Sequence, residues 1–573
     1  MRHKNDLQTP TRRKFLGTVG AATAATLAIG VKPFLGGNES VAEAADGNSS
    51  SPGRMNDCFN YRKNAALSNR VNVGTQADNG DAERFTDFSG NYSKALLHDA
   101  LGIPNAAAFL SLRNAMATGS HSDFENIIIG TPGGGGNSKL NGPQGALAYD
   151  LEGMDSHATV IPAAPSVASA QTAAEMVEHY WGALLADVPF SEYDTNPLAG
   201  QAVADLNNMS FFAGSANDQC PYPITLQNLF RGRFLAGDGN VKGPHISQFM
   251  VQPTYYGAQL LHQRYRTHLP GQAFMTAEAT YQNIQNGGHS EGAVQFDPTP
   301  RYVRNGRDLA AYTRVDVLYQ AYFTAFLVLA GHDAALNPGN PYIGSHTQKG
   351  FGTLGGPDAA GTLGEMATRA LKASWFHKWI KDLRMRPEEY GALVQARLTN
   401  ADPMPQAAAA LHGDVLNSAV LPLIYSANNG HYFLPQPFPE GSPTHPCYPT
   451  GHGTVAGACI TLLKFFFDGE QKLVDTGMVI REPSSDGLSL NTYSGADADS
   501  LDINGELNKL AWNVSTGHGT HAGIHFRSST YWSILLGEQV ALSVLQDRAK
   551  SYNEPFAISI KKFDGTMATI INR

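Results

Sequence analysis

Apolar residues recur along much of the chain every three or four positions, the period of a helix that buries one face. Over 173–185 the stripe is Met176, Val177, Tyr180, Trp181, Leu184 and Leu185. The stretch 246–268 shows similar spacing after a Gly-Pro start and is predicted helical. Over 309–329, Val315, Leu318, Tyr319, Tyr322, Phe326 and Leu329 fall on one face, which predicts a single long helix. Further helices are expected at about 363–383, through the Ala/Leu-rich block 405–425, from Thr450 to about Phe467, and at about 505–514 and 524–548. Residues 58–160 and 337–362 read as loop-rich. Strand-like alternation is confined to the tail at 555–570, with loop or short strands at 468–504. Many long helices and few strands predict a mainly α protein, a large helical-bundle fold of two packed bundles.

The chain has 573 residues, of which 42% are hydrophobic and 16% charged, which is enough apolar material for a large core. A net charge of −9 argues against nucleic acid as a partner, because that needs a basic face. The first 45 residues read as a twin-arginine signal peptide. Thr11-Arg12-Arg13-Lys14-Phe15-Leu16 precedes a mildly apolar stretch from Gly17 to Val31, and Ala42-Glu43-Ala44 resembles a cleavage site. That implies export to the periplasm or the medium. The apolar part is too short for stable membrane insertion. Residues 46–57 read as a flexible linker, and 58–573 as one large helical domain. Cys58, Cys220, Cys447 and Cys459 form no Cys-x-x-Cys pair, so a zinc site is not expected.

Three segments carry candidate chemistry. In the first, His445-Pro446-Cys447-Tyr448-Pro449 leads into Thr450-Gly451-His452. Thr450 is a natural N-cap for the helix that follows, whose first N–H groups lack partners inside the helix and can hold an oxyanion. His452 would stand beside that anion, able to move a proton. In the second, Trp375 and Lys378 share a helix face. Arg386 precedes Pro387, which biases it to an extended conformation, so its guanidinium can converge with Lys378. In the third, His518, His521 and His525 lie within eight residues of one another. Taken singly, these segments are equally a capped helix, a solvated basic face and structural histidines.

Together, Lys378…Arg386-Pro387, Pro449-Thr450-Gly451-His452 and Ala522-Gly523-Ile524-His525-Phe526-Arg527-Ser528 resemble the vanadium-dependent haloperoxidases, in particular the bromoperoxidase branch of algae and bacteria. The core pattern is shared with acid phosphatases. The resemblance implies a site built from 314–387 and 445–530. Vanadate would be the cofactor, with His525 as its metal ligand. Lys378, Arg386, Thr450 and the Gly451 N–H would hold its oxygens, and His452 and Lys378 would be catalytic. Trp375 and His445 would border the halide pocket, with Asp316 and His518 behind the site. Hydrogen peroxide, bromide or iodide, and a small organic acceptor are the implied partners, and a homo-oligomer the implied assembly. Two positions depart from the family pattern. An Arg is expected six residues before the ligand histidine, where this chain has Gly519. An Asp is expected four residues after it, where this chain has Ser529. Asp316 would thereby lose its ion-pair partner, and in a degenerate relative Gly519→Arg would be expected to restore some activity. The alternatives are a phosphomonoesterase with His525 as nucleophile and His452 as acid, or a catalytically degenerate relative.

Overall fold

The structure, a computed structural model, describes residues 51–68, 78–99, 103–130, 139–214, 223–232, 241–288 and 292–572. The expected signal peptide at 1–45, and Cys220, lie outside the described residues. Residues 57–573 form one compact unit.

The principal helices are α1 (Ser51–Ser68), α2 (Ala106–Thr118), α3 (Ala170–Leu184), α4 (Gly306–Val315), α5 (Gln320–Gly331), α6 (Gly356–Phe376), α7 (Pro387–Leu398), α8 (Gly451–Phe466), α9 (Ile503–His518) and α10 (Arg527–Ala549). Among the described residues six short strands pair as antiparallel hairpins: β1 (Thr254–Tyr256) with β2 (Gln259–Leu261), β3 (Arg481–Pro483) with β4 (Leu490–Thr492), and β5 (Phe556–Lys561) with β6 (Met567–Asn572). The mainly α expectation holds. Every residue of α8 and α9 is buried. The largest core surrounds α8, with side chains from α4, α5, α6, α9 and α10. A second core is built on α3 and α7. Among the described residues no helix is long and apolar enough to cross a membrane.

Several elements differ from expectation, each for a local reason. Residues 51–57, expected in a linker, belong to α1, where Pro52 sits in the first turn and removes only an N–H that has no helical partner. Residues 246–268 form a single 3-10 turn at Gln248–Met250 and the β1–β2 hairpin. Gly257, at φ +59, makes the turn, while Tyr255 and Tyr256 face outward. The block 405–425 is three short helices, Gln406–Ala409, Gly413–Leu416 and Val420–Ala427.

Two departures shape the site. The helix expected over 309–329 breaks between α4 and α5, where Asp316 is extended (φ −60, ψ 150). Val315 and Val317 on either side of it are 73% and 56% exposed, so the apolar stripe does not run through the break. The helix expected over 363–383 ends as α6 at Phe376. A wider π-type turn over His377–Asp382 follows, closed by Leu383 at φ +38. Cys58, Cys447 and Cys459 are free thiols.

Candidate active site

The N-terminus of α8 is the floor of the site. Thr450 is its N-cap, in extended conformation, but no side chain caps the helix. The Thr450 hydroxyl is buried without a hydrogen-bond partner among the described residues. The first N–H groups of α8 therefore have the helix dipole behind them and no side chain in front.

The π-type turn carries Lys378 into the interior. Its ammonium donates to the carbonyls of Pro446 (2.6 Å) and Cys447 (3.4 Å) and lies 5.9 Å from the centre of the Trp375 ring. Burial, then the nearby Arg386 charge, pulls its pKa well below the usual lysine range. Arg386 is the N-cap of α7, where the Glu389 carboxylate accepts its N–H at 2.6 Å. Its guanidinium donates to the carbonyls of His445 (2.8 Å) and Ile524 (3.1 Å), to Nδ1 of His445 (2.9 Å) and to Nε2 of His525 (2.9 Å). Among the described residues no carboxylate forms an ion pair with Lys378 or Arg386. Two buried cations without an ion-paired carboxylate are costly unless an anion supplies the counter-charge.

His525 is fixed from both ends. Its Nδ1 donates to the Cys447 carbonyl at 2.6 Å, and its Nε2 accepts from Arg386. The ring is therefore the tautomer with a bare Nε2, the form that can ligate a metal. Burial first, then Arg386 and Lys378, holds its pKa well below the ordinary value. The same cause, burial, lowers His445 and His518. The missing Asp at 529 is thus compensated by a backbone carbonyl. Ser529 instead accepts from Arg384 at 3.1 Å, and Arg384 is paired with Glu175.

His452 Nε2 faces Asp316 Oδ1 at 3.0 Å, across the α4–α5 break. The other Asp316 oxygen has no hydrogen-bond partner among the described residues. His518 stacks on His452 with ring centres 4.0 Å apart and lies 5.8 Å from His525. His445 is 4.9 Å from Trp375 and 6.3 Å from His525. Lys378, Arg386, Thr450, His452, Asp316, His518, Trp375, His445 and His525 therefore meet in one place, whereas His521 packs against Phe190, Phe230 and His245. Two contributors carry no sequence signal: the Cys447 carbonyl and Arg384.

The departure at Gly519 is sharpened. A Cβ there would lie 2.8 Å from the Ser515 carbonyl oxygen and 3.0 Å from Thr530 Oγ1, with the His525 carbonyl oxygen at 3.3 Å. No side chain fits without displacing backbone, so Gly519→Arg is not a simple restoration. Arg314, Arg384 and Arg527 do not take over, because they are bound to Glu440, Glu175 and Glu178.

A bare imidazole nitrogen, two buried cations, an orphan hydroxyl and a helix N-terminus define a helical protein built to hold a tetrahedral oxyanion. A bare cation would want several anionic or histidine ligands. Among the described residues no group of three or more His, Cys, Asp or Glu side chains is placed for that. The donor set fits vanadate, an oxyanion whose metal can take one nitrogen ligand. No protein-family model matches the chain. It is 33% identical over 534 residues to a vanadium-dependent bromoperoxidase of Ascophyllum nodosum, covering 89% of this chain and 91% of the relative. It is 31% identical over 564 residues to one of Corallina officinalis, covering 86% and 92%. A solved structure, the homohexameric second vanadate-dependent bromoperoxidase of Ascophyllum nodosum, superposes with a TM-score of 0.84 at 28% identity, covering 98% of this chain and 96% of that one. The chain belongs to the vanadium-dependent haloperoxidase family, on its bromoperoxidase branch.

Proposed function

We propose that the protein is a vanadate-dependent haloperoxidase that uses hydrogen peroxide to oxidise bromide or iodide to hypohalous acid, which then halogenates a small organic acceptor. The observation that carries this reading is the convergence of Arg386, a buried cation whose guanidinium has no ion-paired carboxylate among the described residues, on the bare Nε2 of His525. His525 would ligate vanadium through that nitrogen. Lys378, Arg386, the Thr450 hydroxyl and the Gly451 N–H would hold the oxygens. Bound vanadate supplies Lewis-acid activation of peroxide without a change of redox state.

The protein's own groups account for the rest. His452, with Nε2 held by Asp316, has Nδ1 left to take a proton from peroxide and return it later. The Lys378 ammonium, held by carbonyls alone, offers positive charge to a peroxide oxygen. His445 accepts from Arg386 at Nδ1, so its proton sits on Nε2. That N–H and the adjacent Trp375 ring make an edge suited to a halide. Homo-oligomeric assembly is part of the proposal, supported by the homohexameric relative. Export by the twin-arginine route is proposed from residues 11–44 of the sequence.

The test is bromination of a dye by peroxide, with apoprotein before and after addition of vanadate. Activity that appears only with vanadate and bromide is expected. Absence of bromination by protein with vanadate demonstrably bound overturns the reading.

A further inference from the structure

The Gly519 side of the site contains a polar atom with nothing to bond. His518 is only 8% exposed, and its Nδ1 has no hydrogen-bond partner among the described residues. Such a nitrogen carries a desolvation cost that a ligand can relieve. The ring is held by its stack on His452, with His525 on one side and the Thr313 carbonyl beside it. A second buried orphan, the Thr450 hydroxyl, lies at the helix start that carries His452. No cation can enter from position 519, where even a Cβ lacks room. The carboxylate behind the site, Asp316, has turned to His452 instead.

We propose that His518 takes the place of the absent cation as an uncharged hydrogen-bonding group: with its other ring nitrogen donating to the Thr313 carbonyl, its Nδ1 accepts from a protonated oxygen of the bound oxyanion. The inference rests on the oxyanion reading above. The site then holds its anion with two charges, from Lys378 and Arg386, and one neutral contact. A neutral hydrogen bond contributes less than a charge-assisted one. His518 also lies flat against His452, so the same ring that touches the anion limits where the His452 ring can turn.

Vanadate binding to apoprotein, measured by equilibrium dialysis with vanadium analysis, tests the assignment without relying on turnover. His518→Phe keeps an aromatic ring against His452 and removes both nitrogens. His518→Gln keeps a polar group and removes the ring. The Phe variant is expected to bind vanadate about tenfold more weakly, and the Gln variant to stay within about threefold of wild type. Vanadate binding by His518→Phe equal to wild type overturns the assignment, as does equal weakening in both variants. If the Phe variant does not fold, His518→Leu against His518→Asn, two side chains of similar size, gives the same contrast. Failure of the wild-type protein to bind vanadate at all removes the parent reading, and this one with it.

Discussion

The two sides of the pocket are built on opposite principles. On one side, Lys378 and Arg386 bring two buried charges against backbone carbonyls and the bare nitrogen of His525, with no carboxylate paired to either. On the other side, where the family pattern has a third cation, there is a glycine with no room for a side chain and a neutral histidine stacked on another. On the proposed function, the charged side attracts an anion and the histidine side shapes the space and handles protons. Asp316, which the family pattern would pair with that cation, holds His452 here.

The largest effect is expected from breaking the charged side. Arg386→Met should weaken vanadate binding and bromination by about 100-fold or more, because one side chain reaches His525, His445 and the Ile524 carbonyl at once. Dialysis and dye bromination measure it. A loss below about fivefold would mean that the anion sits elsewhere. Forcing a charge into the other side should not help. Gly519→Arg is expected to lower stability by about 3 kcal/mol and to leave vanadate affinity no better than wild type, read by denaturant unfolding and dialysis. Recovery of tighter binding would show that the backbone at 519 yields easily.

Asp316→Asn keeps the shape of the carboxylate and removes its charge. A fall of about tenfold in kcat with little change in vanadate affinity is expected, together with a displaced pH–rate profile. An unchanged profile would make Asp316 a packing residue only.

The smallest effect concerns the turn that carries Lys378. Burial raises the Asp382 carboxyl to about 7, against the usual 3.8. A carboxyl raised in the folded state favours folding below its unfolded pKa, and that contribution is lost as pH rises through the folded value. Asp382→Asn, which keeps an acceptor for the Ala164 N–H, should therefore raise the unfolding midpoint by a few degrees at pH 8 and change it little near pH 4. Thermal scans at the two pH values decide it.

What was legible in the sequence was mostly local. Thr450-Gly451-His452 before an apolar run, and Arg386 before Pro387, announce their backbone states through capping and proline sterics, and both stand as read. The long helix α6 follows from periodicity because its buried face is continuous. The break at Asp316 was hidden by that same periodicity: Val315 continues the apolar stripe in sequence but is solvent-facing, and the carboxylate's partner lies 136 residues away. The π-type turn at 377–382 has no helix-breaking residue to reveal it. The tautomer of His525 was equally out of reach, since it depends on a carbonyl, which every residue has. The hairpin at 254–261 shows the converse error, where apolar spacing alone suggested a helix and Gly257 decided for a turn.

The central claim is that the bare nitrogen of His525, flanked by Arg386 and Lys378, is where vanadate is held. Vanadium analysis after dialysis of vanadate-loaded protein tests it most directly, with wild type beside His525→Ala. One vanadium per chain in the wild type, displaced by excess phosphate and absent from His525→Ala, is the predicted result. Equal vanadium in both proteins would contradict it.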